Sequence, residues 1–195
     1  MFYKKNIILA SSSQRRKQLL ELAKINFEIV AHATDETYPA DLPTTQIPAF
    51  IAKQKALTAK NKIQQFYPDF LHAPIVAADT IVILDDKIIG KPQNRQNAIE
   101  ILQLLSGKCH QVITSVVILN EEKEISFADV TDVEFFKLTQ DQIEFYIDTF
   151  EPYDKAGAYA IQEWIGVVGI KNINGDFYNV MGLPVSHLLQ VLNEL

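Results

Sequence analysis

The sequence predicts an α/β fold, with a mixed central β-sheet flanked by helices. Three observations point there. Apolar runs of strand length alternate with amphipathic helical stretches over most of the chain. Two pairs of strand-like runs, 81–84 with 88–89 and 111–119 with 125–136, are separated only by short polar turns. Such hairpins add antiparallel pairs to an otherwise alternating pattern, which makes the sheet mixed. Finally, 195 residues at 48% hydrophobic and 22% charged are enough for one substantial core. Residues 1–195 are therefore expected to form one domain.

The elements follow in order. Ile7-Ile8-Leu9-Ala10 reads as a short buried strand, and Leu19, Leu20, Leu22 and Ala23 as the apolar face of the helix after it. One serine of Ser11-Ser12-Ser13 can cap that helix. Phe27-Glu28-Ile29-Val30 is a second short strand, and 35–45, with Pro39 and Pro43, is a loop. A long helix is expected over 46–65, with Pro48 tolerated in its first turn and Phe50, Ala52, Ala56, Ala59 and Ile63 on its apolar side. Pro74 introduces a buried strand, and Asp85-Asp86-Lys87 turns a hairpin. Asn94 caps a helix that runs to Leu105 and ends at Gly107. Two strand-rich stretches follow. Thr139 with Gln142 forms a capping box for a helix to about residue 149. The glycine-punctuated stretch 157–182 is expected to hold short strands. A terminal amphipathic helix carries Leu188, Leu189, Leu192 and Leu195.

Composition also excludes. A net charge of −6, with a pI near 5.2, argues against nucleic-acid or membrane-surface binding. An anionic substrate would need a local basic pocket. The single cysteine, Cys109, rules out an internal disulfide and suits a reducing cytoplasm. The longest apolar run, 75–84, is interrupted by Asp79-Thr80 and is too short to span a bilayer, and no signal peptide is visible. A soluble cytoplasmic protein is expected. The four histidines lack metal-ligand spacing, and there is no Walker loop, GxSxG elbow or CxxC pair. Cys109-His110 lacks an orienting third group for a thiol nucleophile.

The most informative stretch is Ser11-Ser12-Ser13-Gln14-Arg15-Arg16. A purely structural first turn favours acidic residues, because the helix N-terminus is partially positive. Here two arginines add to that charge. Backbone N–H groups, hydroxyls and guanidinium forks suit a multiply charged anion such as phosphate; a solvated basic turn is the open alternative. Asp79 lies inside an apolar strand, where a carboxylate is costly unless paired or metal-bound. Metal binding, general-base work and a structural salt bridge all remain open for it. Asp35-Glu36 can supply a second carboxylate for Mg²⁺ or Mn²⁺, or simply be a solvated loop. Lys91 in Gly90-Lys91-Pro92 is a rigidly placed phosphate partner or an exposed turn lysine. Lys55 points into a site or snorkels outward. Asp154-Lys155 reads best as a structural ion pair, Gln162 as a base-edge reader or a buried hydrogen-bonding amide, and Trp164 as a stacking or core residue.

Together these residues resemble the Maf family of nucleoside triphosphate pyrophosphatases. The resemblance runs through Leu9-Ala10-Ser11-Ser12-Ser13-Gln14-Arg15-Arg16, Asp35-Glu36-Thr37, Ala78-Asp79-Thr80-Ile81-Val82, Gly90-Lys91-Pro92 and Leu105-Ser106-Gly107. It continues through Asp154-Lys155-Ala156-Gly157-Ala158-Tyr159-Ala160-Ile161-Gln162 and Tyr178-Asn179-Val180-Met181-Gly182-Leu183-Pro184. Each segment is weakly specific alone; their order over nearly the whole chain is a strong signal. The resemblance implies one elongated, Maf- and ITPase-like α/β domain with a central substrate cleft, homodimers being common. It implies hydrolysis of the α–β phosphoanhydride of a nucleoside triphosphate, dTTP and UTP in this branch, to monophosphate and pyrophosphate. Such activity also suits house-cleaning of non-standard nucleotides. The implied cofactor is a divalent cation, Mg²⁺ or Mn²⁺. By the same resemblance Asp79 is proton acceptor, Ser11, Arg16, Lys55 and Lys91 bind phosphate, and Glu36 and Asp79 hold the metal. Arg15, Thr80 and Gln162 match positions tied to base specificity. Gln14 stands where proline is usual, and Glu163-Trp164 where small glycines are frequent. The rivals are the 7-methyl-GTP branch of the same family and a regulator of cell division that binds nucleotide without turnover.

Overall fold

The computed structural model describes residues 3–121 and 123–195. Among them, seven strands form one sheet: β1 (Ile7–Leu9), β2 (Phe27–Ile29), β3 (Ile75–Leu84), β4 (Lys87–Ile89), β5 (Cys109–Asn120), β6 (Lys123–Phe135) and β7 (Ile170–Asn174). Seven α-helices accompany them: α1 (Gln14–Leu22), α2 (Ile47–Phe66), α3 (Arg95–Leu105), α4 (Gln140–Phe150), α5 (Trp164–Gly169), α6 (Phe177–Met181) and α7 (Val185–Asn193). The strand order is β2-β1-β3-β5-β6-β7, with β4 added to β3. β1 runs parallel to β2 and β3, placing Ile8 opposite Glu28 and Ile75. β4 is antiparallel to β3, and β7 to β6. The sheet is mixed, as the hairpin pattern predicts.

The chain divides into two compact units. The first comprises Met1–Asp79, Thr114–Asp129 and Gly182–Leu195. Its core packs Ile8, Ala10 and Ala77 with Val117 and the α2 face of Ala52, Ala56, Ala59 and Ile63. Those four α2 residues recur at helical spacing, and three of them are alanine, so the helix backbone can lie close to its neighbours. α1 begins at Gln14, and Ser13 caps it by accepting from the Arg16 amide at 3.5 Å. Its buried face differs from the expected one: Leu19, Leu20 and Arg16 are buried, whereas Leu22 is 67% exposed. At 100° per residue, Arg16, Leu19 and Leu20 share a stripe that Leu22 leaves.

The second unit comprises Thr80–Ile113 and Val130–Met181. Its core gathers Val82, Leu84, Leu102, Leu105, Phe135, Tyr146, Ile147, Tyr159 and Ile165. The β3–β4 turn places Asp85 and Asp86 at φ of +50° and +61°, the left-handed pair that a two-residue hairpin turn requires. α3 is capped by Asn94, which accepts from the Asn97 amide at 2.9 Å. The α4 capping box of Thr139 and Gln142 is complete.

The expectation of short strands over 157–182 needs correction, since β7 is the only strand in that stretch. Short helical turns take up much of the remainder: the end of a 3-10 turn at Ala156–Ala158, then α5 and α6. The reason is periodicity. Within 161–170 the buried positions are Ile161, Ile165 and Gly169, spaced by four, a helical period rather than the alternation a strand needs. Gly166 permits this packing, because a Cβ there would lie 1.7 Å from the Ile161 carbonyl oxygen.

Candidate functional site

In the first unit, α1, the loop after β2, α2 and the middle of β3 supply one charged cluster. Lys55 is the centre of it. Its position beside the alanine stripe of α2 directs the side chain inward, and its ammonium donates to Asp79 Oδ1 at 2.7 Å and contacts Glu36 Oε1 at 2.8 Å. Asp79 and Lys55 are 13% and 17% exposed at their side chains, while Glu36 is 52% exposed. The Asp35 carboxylate turns back instead and accepts from the Thr37 amide at 2.9 Å, so only Glu36 of that pair joins the cluster.

Burial pushes the Asp79 carboxyl above the ordinary carboxylate value, while the charge and hydrogen bond of Lys55 and the charge of Arg16 oppose the rise. Such a carboxylate is more basic than a solvated one, and its cationic neighbours favour the ionised form that a proton acceptor needs. Arg16 is buried. Desolvation lowers its guanidinium pKa, and Asp79 and Glu36 act electrostatically in the other direction. Its Nε donates to the Gly182 carbonyl at 2.8 Å and its Nη1 to Ser11 Oγ at 3.2 Å, and Ser11 Oγ also accepts from the Ser13 amide. The two arginines have therefore separated: Arg16 turns into the unit, while Arg15 lies half-buried on α1.

Ser11, Arg16, Glu36, Lys55 and Asp79 are thus brought into one neighbourhood. Of the readings open for Asp79, the lysine bridge is present, and it leaves the carboxylate beside two cations. Thr80 is the next residue along β3 and is half-buried.

The remaining site candidates fall in the second unit. Lys91 is exposed just after β4, on a segment whose Gly90 carbonyl accepts from the Gly157 amide at 3.1 Å. Gln162 is exposed rather than a buried hydrogen-bonding amide. Trp164 is half-buried, with its ring edge-on to Phe145 at 4.8 Å. Lys155 is buried and pairs with Asp154 at 2.7 Å, as its structural ion-pair reading expects, and also approaches Glu163 at 3.6 Å. The Tyr146 hydroxyl donates to Glu163 and accepts from the Ala160 amide at 3.1 Å. Tyr146 was not singled out by motif, and Glu163 only as a departure from the resemblance. The available signal was Tyr146 sharing the buried α4 stripe with Ile143 and Ile147, an aromatic whose hydroxyl must find a partner. Cys109 is exposed, its thiol pushed up by burial and nearby carboxylates. His110 is instead buried against Tyr159 at 2.7 Å, so the pair forms no nucleophilic dyad.

Two carboxylates that already share one ammonium can face one divalent cation. Among the described residues no cluster of three or more His, Cys, Asp or Glu is placed to hold a metal. A cation at Asp79 and Glu36 would therefore draw its other oxygens from phosphate and water, the habit of Mg²⁺. Among the described residues, no helix is long and apolar enough to cross a membrane.

Residues 6–195 match the model of the family described as Maf-like proteins. A Cytophaga hutchinsonii protein named dTTP/UTP pyrophosphatase is 49% identical over 190 residues, 97% of this chain and 84% of that one. A Bacteroides thetaiotaomicron protein of the same name is 45% identical over 193 residues, 98% and 97% of the two chains. Among solved structures, the Staphylococcus aureus Ham1 protein is similar at a TM-score of 0.46 and 13% identity, over 67% of this chain and 72% of that one.

Proposed function

This chain belongs to the Maf-like family, and on that premise we propose that it hydrolyses dTTP and UTP to the nucleoside monophosphate and pyrophosphate. The observation that carries the proposal is the cluster of Asp79 with Lys55, Glu36 and Arg16, a buried base held beside two cations. Water attacks the α-phosphorus, an O–P bond forms, and Asp79 takes the water's proton. The α–β bridging bond breaks, and its electron pair leaves on pyrophosphate. Lys55 and Arg16 favour the build-up of negative charge, an effect of fixed positive charge in a desolvated place. Orientation of the triphosphate accounts for much of the remaining acceleration.

Asp79 and Glu36 are the residues that would hold Mg²⁺ or Mn²⁺, whose chemical contribution is to neutralise phosphate charge. By the family resemblance Ser11 and Lys91 join Arg16 and Lys55 in binding phosphate, and Arg15, Thr80 and Gln162 read the base. The same proposal treats residues 1–195 as one functional domain of a cytoplasmic enzyme, in keeping with its lone cysteine, and as a homodimer that sedimentation would reveal.

The test is a panel of natural and modified nucleoside triphosphates with Mg²⁺ or Mn²⁺, scored for monophosphate and pyrophosphate. dTTP and UTP are expected to be turned over in preference to purine substrates. Selective hydrolysis of 7-methyl-GTP, or none at all, would overturn the proposal.

A further inference from the structure

The stretch Ala160-Ile161-Gln162-Glu163 is a tight turn, closed by the Glu163 amide donating to the Ala160 carbonyl at 3.1 Å. Gln162 occupies its third position and is exposed, while Ala160 and Ile161 are buried. One hydroxyl holds both ends of this turn. Tyr146 OH accepts from the Ala160 amide at 3.1 Å and donates to the Glu163 carboxylate. The same carboxylate faces the buried Lys155 ammonium at 3.6 Å, itself paired with Asp154 at 2.7 Å. Tyr146 is fully buried, and its surroundings disfavour the phenolate, first by desolvation and then by Glu163, so it remains the donor. Behind the turn, the Gly166 backbone lies so close to the Ile161 carbonyl that no Cβ would fit. Two residues earlier, Ala158 sits at φ +56°, a strained conformation for a residue with a side chain. A strained segment keeps such a shape only when its surroundings over-determine it, and here a hydroxyl, an ion pair and a backbone contact do so.

We propose that Tyr146 and Glu163, backed by Lys155, are positioning residues that hold the turn presenting the Gln162 amide, and thereby set discrimination between pyrimidine bases. This inference rests on the proposed role of Gln162 in reading the base. The keto and amino edges of uracil-like and cytosine bases differ in donor and acceptor pattern. An amide reads that difference only if its direction is held, because a mobile amide can rotate to satisfy either edge.

The experiment compares kcat and KM on dTTP and dCTP for the wild type and for Tyr146→Phe, Glu163→Ala, Glu163→Gln and Gln162→Ala. Hydrogen exchange at the Ala160 and Glu163 amides is measured in parallel. Tyr146→Phe and Glu163→Ala are expected to lower the dTTP to dCTP ratio of kcat/KM by roughly tenfold, through KM, with kcat on dTTP within about twofold. Exchange at the two amides should quicken about tenfold. Glu163→Gln retains an acceptor for the Tyr146 hydroxyl and should recover most of the ratio. If Gln162→Ala collapses the ratio while Tyr146→Phe and Glu163→Ala leave it unchanged, the positioning role is wrong and the role of Gln162 stands. If Gln162→Ala itself leaves the ratio unchanged, Gln162 does not read the base, and the positioning role falls with it.

Discussion

Each unit contains a lysine flanked by two carboxylates, and the two arrangements are built for different ends. Lys55 contacts Asp79 at 2.7 Å and Glu36 at 2.8 Å. Lys155 contacts Asp154 at 2.7 Å and Glu163 at 3.6 Å. Around Lys55 the partners come from a loop and a strand, and half of the Glu36 side chain is in solvent. That side of Glu36 is therefore reachable from solvent. Around Lys155, Glu163 is also bound by Tyr146, whose hydroxyl is fixed to the backbone of the next segment. The first arrangement is open to a ligand, and the second is locked to a turn. Distance alone does not separate the two ion pairs; the solvent exposure of Glu36 and the Tyr146 bond to Glu163 do.

The largest effect that separates the two regions is at Asp79. Asp79→Asn should lower kcat on dTTP by about 10²- to 10⁴-fold, the usual worth of a general base, with the fold intact by circular dichroism. A folded variant with near-normal turnover would remove the first cluster from the chemistry.

The next effect is on stability, in the second unit. Burial holds the His110 imidazole pKa down at about 4, below the ordinary value of 6.5. The neutral form is therefore favoured on folding. Its contribution is fully present above pH 6.5 and is lost as pH falls towards 4, by about 3 kcal/mol over that window. Denaturant titrations at several pH values should show this loss, and His110→Gln should flatten it. An unchanged slope in the variant would assign acid sensitivity to other groups.

The smallest effect is a titration shift. In metal-free protein, carboxyl NMR should place the Asp79 midpoint above the ordinary aspartate value. Lys55→Met should move it higher still, because it removes both the charge and the hydrogen bond that hold it down. A midpoint at or below about 4 would contradict the burial of this carboxylate.

Much of the first cluster was legible because its chemistry conflicts with local structural preference. An aspartate inside Ile75–Leu84 and two arginines at a helix start are locally costly, and such conflicts mark sites. The direction of Lys55 was not legible, since inward and outward positions on a helix differ by one rotation that only packing decides. Glu36 was readable as a candidate, but its preference over Asp35 depends on the Asp35–Thr37 turn. The hairpin at Asp85-Asp86 and the caps at Asn94 and Thr139 were local and read correctly. The 157–182 stretch misled because its glycines suggested extended punctuation. One of them, Gly166, instead permits a contact between residues five apart that no local rule anticipates. The Tyr146–Glu163 link was hidden for the same reason: its two residues are 17 positions apart.

The central claim is that Lys55 serves the reaction and Lys155 serves the structure. It is tested most directly by measuring, for Lys55→Met and Lys155→Met side by side, kcat/KM on dTTP and the free energy of unfolding. Lys55→Met should lose about 10²-fold or more in kcat/KM with near-normal stability. Lys155→Met should lose about 1–3 kcal/mol of stability, since it takes the ammonium away from the part-buried Glu163 carboxylate, and keep kcat within a few-fold. The reverse pattern, with Lys55→Met unstable but active and Lys155→Met stable but inactive, would contradict the account.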